Sequence, residues 1–182
     1  MRRRTSLPVA ATLFVSLVAS GCGAPASGST LPPLQPQSFG PSRGTTAAVA
    51  QTRAAIARVL GERSLQLADP QVPFRPPESA LVAAAPRAVY QAVLPDDRNH
   101  GFISVYEFTD PAAAGVAGRE LADYAGSGPG RVQFPLDTRF VIRQLGSTIV
   151  FFTWSPANSA DPRTADIQPA LETLGTPIPV PR

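Results

Sequence analysis

A single histidine and a single cysteine are the residues of this 182-residue chain with the widest chemical range. His100 stands in the string Pro95-Asp96-Asp97-Arg98-Asn99-His100-Gly101. Two carboxylates and an imidazole in such a short span are a donor set for a divalent cation, and an imidazole beside a carboxylate can act as a base. The same residue types also turn a chain tightly, and no second histidine completes a metal site, so the string reads as a polar hairpin tip. Ser155 and Ser159 fall in a loop stretch, and the Gly-x-Ser-x-Gly elbow of a hydrolase nucleophile is missing. Gly126-Ser127-Gly128-Pro129-Gly130 has the composition of a phosphate loop but follows a helical stretch, whereas a phosphate cradle needs the N-terminus of a helix. Glu107, Glu120 and Asp123 are expected to meet Arg119 or Arg139 in surface ion pairs. The folded part is therefore read as non-catalytic, without metal or cofactor.

Cys22 carries a more specific signal. Arg2, Arg3 and Arg4 form a positive cluster, and Pro8 to Ala19 is an uncharged, mostly apolar run. That run is too short to cross a hydrocarbon core of roughly 30 Å, which takes about 20 apolar residues. A basic start, a short apolar stretch and small residues before a cleavage point are the marks of an export signal. Ala19-Ser20-Gly21-Cys22 resembles the lipobox of bacterial lipoproteins, with Ala19 where leucine is usual. The resemblance covers residues 1–22 and implies cleavage between Gly21 and Cys22, with a diacylglyceryl group on the Cys22 thiol. Two acyl chains hold a protein stably on a bilayer where one does not. The implied location is the cell membrane, lipid-anchored, on its extracytoplasmic side. Gly23 stands where an aspartate retains some lipoproteins in an inner membrane. An ordinary signal peptide cut at Ala24 or Ala26 is the alternative, and it would discard Cys22. Arg3-Arg4-Thr5-Ser6-Leu7 resembles a twin-arginine signal only faintly, because Ser6 stands where a bulky apolar residue is usual.

Charge narrows the partners. The chain carries 16 basic and 13 acidic residues. The excess of three is Arg2, Arg3 and Arg4, so the part from Cys22 onward has no basic surplus to drive phosphate binding, and nucleic acid is not an expected partner. With the one cysteine committed to lipid, no disulfide or thiolate site is left.

These residues are positioned by four stretches: the signal at 1–21, an anchored Cys22 with a Pro/Gly/Ser-rich linker to residue 44, one domain over 45–175, and a proline-rich tail over 176–182. The linker holds little apolar surface to bury and is a spacer of about 25 Å as a coil or about 70 Å as extended polyproline II. The domain is expected to be α+β, with a mainly antiparallel sheet and helices packed on one face, in the order α-β-β-α-β-β-β-α. Thr45 or Thr46 caps a first helix that ends near Gly61 and has Val49, Ile56, Val59 and Leu60 on one side. Ala80–Ala85 reads as one helical turn. Strands over 88–94 and 102–108 form a hairpin around His100. Asp110 caps a second helix with Pro111 in its first position and Ala113, Ala117, Leu121 and Tyr124 along one stripe. Arg131–Phe134 reads as a short strand. Strands around Arg139–Arg143 and Ile149–Trp154 are joined by a type II′ turn at Gly146-Ser147. Thr164 or Asp166 opens a last helix with Ile167, Leu171 and Leu174 on one stripe.

Register counted outward from that turn places Arg139, Val141, Arg143, Phe152 and Trp154 on one face, with Arg139 opposite Trp154. Arginine and aromatic residues are enriched at binding hot spots, so this face is the candidate interaction surface, possible partners being the membrane through lipid and an envelope protein. The opposing reading covers the face with a helix and lets the arginines reach its rim. Two functions follow: a non-catalytic, lipid-anchored envelope domain that contacts a protein or the cell wall, or a small-ligand-binding accessory lipoprotein of a transport system. The first requires an exposed Arg139/Phe152/Trp154 patch, the second an enclosed pocket of roughly 300–1,000 Å³.

Overall fold

The computed structural model describes residues 46–181; Gly21, Cys22 and the rest of the signal and linker lie outside the described residues. The described part is α+β, built on one six-stranded sheet in which every neighbouring pair is antiparallel. The elements are α1 (Ala47–Gly61), β1 (Leu67–Ala68), α2 (Ala80–Ala83), β2 (Arg87–Ala92), β3 (Phe102–Glu107), α3 (Pro111–Gly126), α4 (Gly128–Arg131), β4 (Arg139–Leu145), β5 (Thr148–Trp154), α5 (Thr164–Leu171) and β6 (Thr176–Pro177). The strand order is β1-β2-β3-β5-β4-β6, which puts β3 and β5 at the centre. Among the described residues no helix is long and apolar enough to cross a membrane.

Helices cover both faces of the sheet, which corrects the expectation of a single covered face. Alternation along β3 and β5 explains why. Ile103, Val105, Val150 and Phe152 point one way into a core shared with Ile56, Leu60 and Ile167 of α1 and α5. Tyr106, Ile149 and Phe151 point the other way into a core shared with Val82, Ala117 and Leu121 of α2 and α3. Both sides of a central pair are apolar, so each side must be packed against something.

The helix ends follow from their capping residues. The Thr46 side chain accepts from the Val49 N–H at 3.2 Å, and the Asp110 carboxylate accepts from the Ala113 N–H at 2.8 Å. All four apolar residues expected on one side of α1 are buried. The helix stops through a pair of bonds, Leu65 N–H to the Leu60 carbonyl and Ser64 N–H to the Gly61 carbonyl. That is the Schellman arrangement, and its left-handed position is Ser64 (φ 57°), not the expected stop Gly61. On α3 the buried stripe is rotated from the expected one: Ala114, Gly118, Leu121 and Ala125 lie inward, while Ala113 and Tyr124 are only half-buried. A Cβ on Gly118 would fall 2.9 Å from Ile149 Cδ1 and 2.3 Å from Ile178 Cδ1, so the small residue sets how closely α3 lies on the sheet.

Three further expectations change. Arg131–Phe134 is not a strand: Ser127 accepts from the Gly130 N–H at 3.2 Å and opens the short α4, and the chain turns until Thr138. The order becomes α-β-α-β-β-α-α-β-β-α-β. The extended tail, placed outside the 45–175 domain, joins its sheet: Thr176–Pro177 pairs with β4 and Ile178 N–H bonds the Ile142 carbonyl at 3.0 Å. The β4–β5 hairpin keeps its expected register, Leu145 opposite Thr148 and Arg139 opposite Trp154. Of its two turn residues only Gly146 has positive φ (56°), as a type II′ turn demands.

A buried carboxylate fixes the irregular chain before α2. The Glu78 side chain is 2% exposed and pairs with Arg87 at 2.7 Å and Arg75 at 3.0 Å. The Tyr106 hydroxyl donates to the same carboxylate at 2.6 Å. Burial, and then the bond to Glu78, push the Tyr106 phenol well above its ordinary pKa.

Candidate interaction site at the Arg139 end of the sheet

The expected interaction face is mostly interior. Val141 is 3% exposed and Phe152 1%, both in the core beneath α1 and α5. The arginines reach outward from it. The Arg143 guanidinium donates to the carbonyls of Leu174 and Gly175, which α5 and the chain after it leave without helical partners. Arg143 thus caps these two carbonyls. Trp154 is half-buried, and its indole N–H donates to Gln168 Oε1 of α5 at 3.0 Å. Arg139 is exposed, with its guanidinium carbon 5.9 Å from the Trp154 ring centroid, a cation–π contact of about 0.5–1 kcal/mol at an exposed site. Of the five residues expected on the surface, the structure leaves Arg139 open and Arg143 and Trp154 partly open.

The polar groups at the same end stitch loops together. His100 Nδ1 lies 2.6 Å from Asp97 Oδ1, and Asp97 Oδ2 accepts from the Ala160 N–H at 2.9 Å. Burial pushes the Asp97 carboxyl up, but these hydrogen bonds outweigh it and hold the group below its ordinary pKa. Asp161 accepts from Arg163 through two parallel bonds of 3.1 and 2.6 Å, and from the Asp96 N–H at 3.4 Å. Its carboxyl is lowered to about 2, first by the Arg163 side chain. The hairpin tip is therefore tied to the 155–163 loop by buried carboxylates. The sequence string brings His100 and Asp97 together but sends Asp96 to the exterior. Ser155 donates to Asp137 at 2.6 Å, and Ser159 donates to the Ser155 carbonyl at 3.0 Å. Among the described residues no group of three His, Cys, Asp or Glu is placed to hold a metal ion.

The expected ion pairs of Glu107, Glu120 and Asp123 with Arg119 or Arg139 are not formed. Glu107 accepts from the Thr46 hydroxyl and Glu120 from the Leu81 N–H. Arg139 and Arg131 thus have no carboxylate partner among the described residues. The Arg131 guanidinium carbon lies 5.8 Å from the Phe140 ring centroid.

Between α4 and β4 lie the most exposed large apolar side chains among the described residues, Val132 at 79% and Leu136 at 96%. Two clefts flank this segment. One, of about 210 Å³, is walled by Phe74, Phe102 and Phe134 with Asn99, His100 and Asn158. Phe74 stacks on Phe102 with centroids 4.3 Å apart. The other, of about 530 Å³, is walled by Arg131, Arg139, Phe140 and the tail residues Val180 and Pro181. Thr138 lines both, and its hydroxyl is buried with no hydrogen-bond partner among the described residues.

Sequence reasoning named Arg139 and Trp154 here but missed Arg131, Val132, Leu136 and Thr138. The usable signal was the spacing of Val132 and Leu136 in a stretch rich in turn formers, where no regular element buries either. No protein-family model, no curated protein and no solved structure matches the chain.

Proposed function

We propose that the protein is a lipid-anchored cell-envelope protein whose domain is a non-catalytic interaction module on the outer side of the cytoplasmic membrane. The observation that carries this reading is Cys22, placed behind small residues at the end of a short apolar run with a basic start. The domain supplies a compatible surface: Val132 and Leu136 exposed between Arg131 and Arg139, neither of which forms a salt bridge among the described residues. Exposed apolar groups rimmed by charge mark contact sites on folded proteins. The contact surface moves from the sheet face, where helices cover Val141 and Phe152, to the sheet end.

The second reading, a small-ligand-binding accessory lipoprotein, is favoured by the about 530 Å³ cleft, a volume within the usual ligand range of roughly 300–1,000 Å³. Fractionation of the native host separates the anchoring claim from both. The wild-type chain is expected with the membrane after a carbonate wash, and the Cys22→Ser chain is expected to stay in the precursor form. A Cys22→Ser chain processed to the same length as the wild type would refute the anchor. Native mass spectrometry separates the two domain readings: retained small molecule supports the second, co-purified protein the first.

A further inference from the structure

We propose that the edge of β4 at Phe140, which β6 leaves unpaired among the described residues, is a docking site for an acidic, extended segment of a partner protein, with Arg131 and Arg139 pairing its carboxylates. The inference rests on the reading of the domain as an interaction module.

Three independent features converge there. β4 is seven residues long, but β6 pairs only with Arg143 and Gln144, and the Ile178 N–H bond to Ile142 is the last across that edge among the described residues. Beyond it the tail leaves the edge to pack over α3, where Pro181 comes against Gly126. An open strand edge presents backbone donors and acceptors that an added strand satisfies. Next, the cleft beside this edge, about 530 Å³, is walled by both arginines. Guanidinium groups pair carboxylates in planar, two-bond geometry. Last, the Thr138 hydroxyl on the same wall is nine-tenths buried and unpartnered, which costs free energy until something bonds it.

Charge decides between a protein and a lipid surface. From Cys22 onward the chain holds 13 arginines against 13 Asp and Glu. With no net charge it is not drawn to anionic lipid as a whole, while a local arginine pair still reads a local pair of carboxylates. Lipid headgroups, moreover, carry no run of backbone N–H and C=O groups to continue the sheet.

The test uses the full chain in detergent and a fluorescent six-residue peptide of alternating Glu and Val, followed by anisotropy. Binding is expected to weaken at least tenfold in an Arg131→Ala/Arg139→Ala double variant and to fall as salt rises. It is expected to be unchanged in a charge-matched Arg58→Ala/Arg63→Ala control, and a backbone N-methylated peptide is expected to bind more weakly. Both double variants should keep the wild-type far-UV circular dichroism spectrum and a cooperative urea transition. The proposal is overturned if the Glu/Val peptide does not bind, if the two double variants behave alike, or if monomeric dihexanoylphosphatidylglycerol displaces the peptide as well as unlabelled peptide does. Affinity is expected to be the same in Cys22→Ser, so a failed docking site and a failed anchor give different results.

Discussion

Removing the Glu78 carboxylate should be one of the most damaging single changes to this domain. The side chain is 2% exposed and bonds three donors: the Tyr106 hydroxyl at 2.6 Å, Arg87 at 2.7 Å and Arg75 at 3.0 Å. In Glu78→Ala the Tyr106 hydroxyl, on a residue with no exposed surface, loses its acceptor, at about 1–3 kcal/mol. The Arg87 side chain is 19% exposed, so most of its charge is left in the interior. Breaking one side of a buried pair costs about 3–5 kcal/mol in full burial. Arg75 is half-exposed and returns to water at little cost. These terms overlap, and we expect a loss of about 3–4 kcal/mol, a large share of a typical total of about 5–15 kcal/mol. Urea unfolding followed by far-UV circular dichroism measures it. Tyr106→Phe alone should cost about 1 kcal/mol, and the double variant should cost clearly less than the two singles added, because Glu78→Ala has already removed the phenol's partner. A loss below about 1 kcal/mol in Glu78→Ala would show that the network does not hold the 71–79 segment and α2 in place.

Asp161 gives a pH dependence of known sign. Its folded-state pKa is lowered to about 2 by Arg163, below the unfolded value of about 3.9, so its stabilisation is present above about pH 4 and is lost as pH falls toward 2. The urea midpoint should fall between pH 5 and pH 2.5 more steeply in the wild type than in Asp161→Asn; parallel curves would remove Asp161 from the acid response. Gly118→Val should destabilise by about 1–3 kcal/mol, because the new carbons meet Ile149 and Ile178, and the paired change Ile178→Ala should recover part of it in thermal melts. Ser64→Gly should raise the urea midpoint, by about 0.5 kcal/mol in stability, since Ser64 holds a left-handed φ of 57° that glycine adopts without strain.

Much of this architecture was legible because local chemistry and global packing agree. Thr46 and Asp110 cap the helices they were expected to cap, and Gly146 sets a turn from which the pairing of Arg139 with Trp154 follows by counting. The misses have a common cause, which is that they depend on residues far apart in sequence. Nothing near Thr176 says that it will pair with Gln144, and nothing near Phe152 says which helices will cover it, although a covering helix was one of the two readings of that face. The stripe on α3 was read from the spacing of Ala113, Ala117, Leu121 and Tyr124, whereas an inward position went to Gly118, where the absence of a side chain is what the sheet requires. Arg131–Phe134 looked like a strand by composition, but Ser127 starts a helical turn just before it, and a local cap outweighs a weak strand preference. At the candidate site, Arg139 could be placed by register, while Arg131 and Thr138 enter only once α4 and the tail are folded against the β4 edge.

The account turns on the chemical state of position 22, and the mass of the N-terminal peptide of protein taken from its native host reads that state directly. A chain that begins at Cys22 and carries a diacylglyceryl group on sulfur is the predicted result. A free thiol at Cys22, or a mature chain that begins at a later residue, would contradict it.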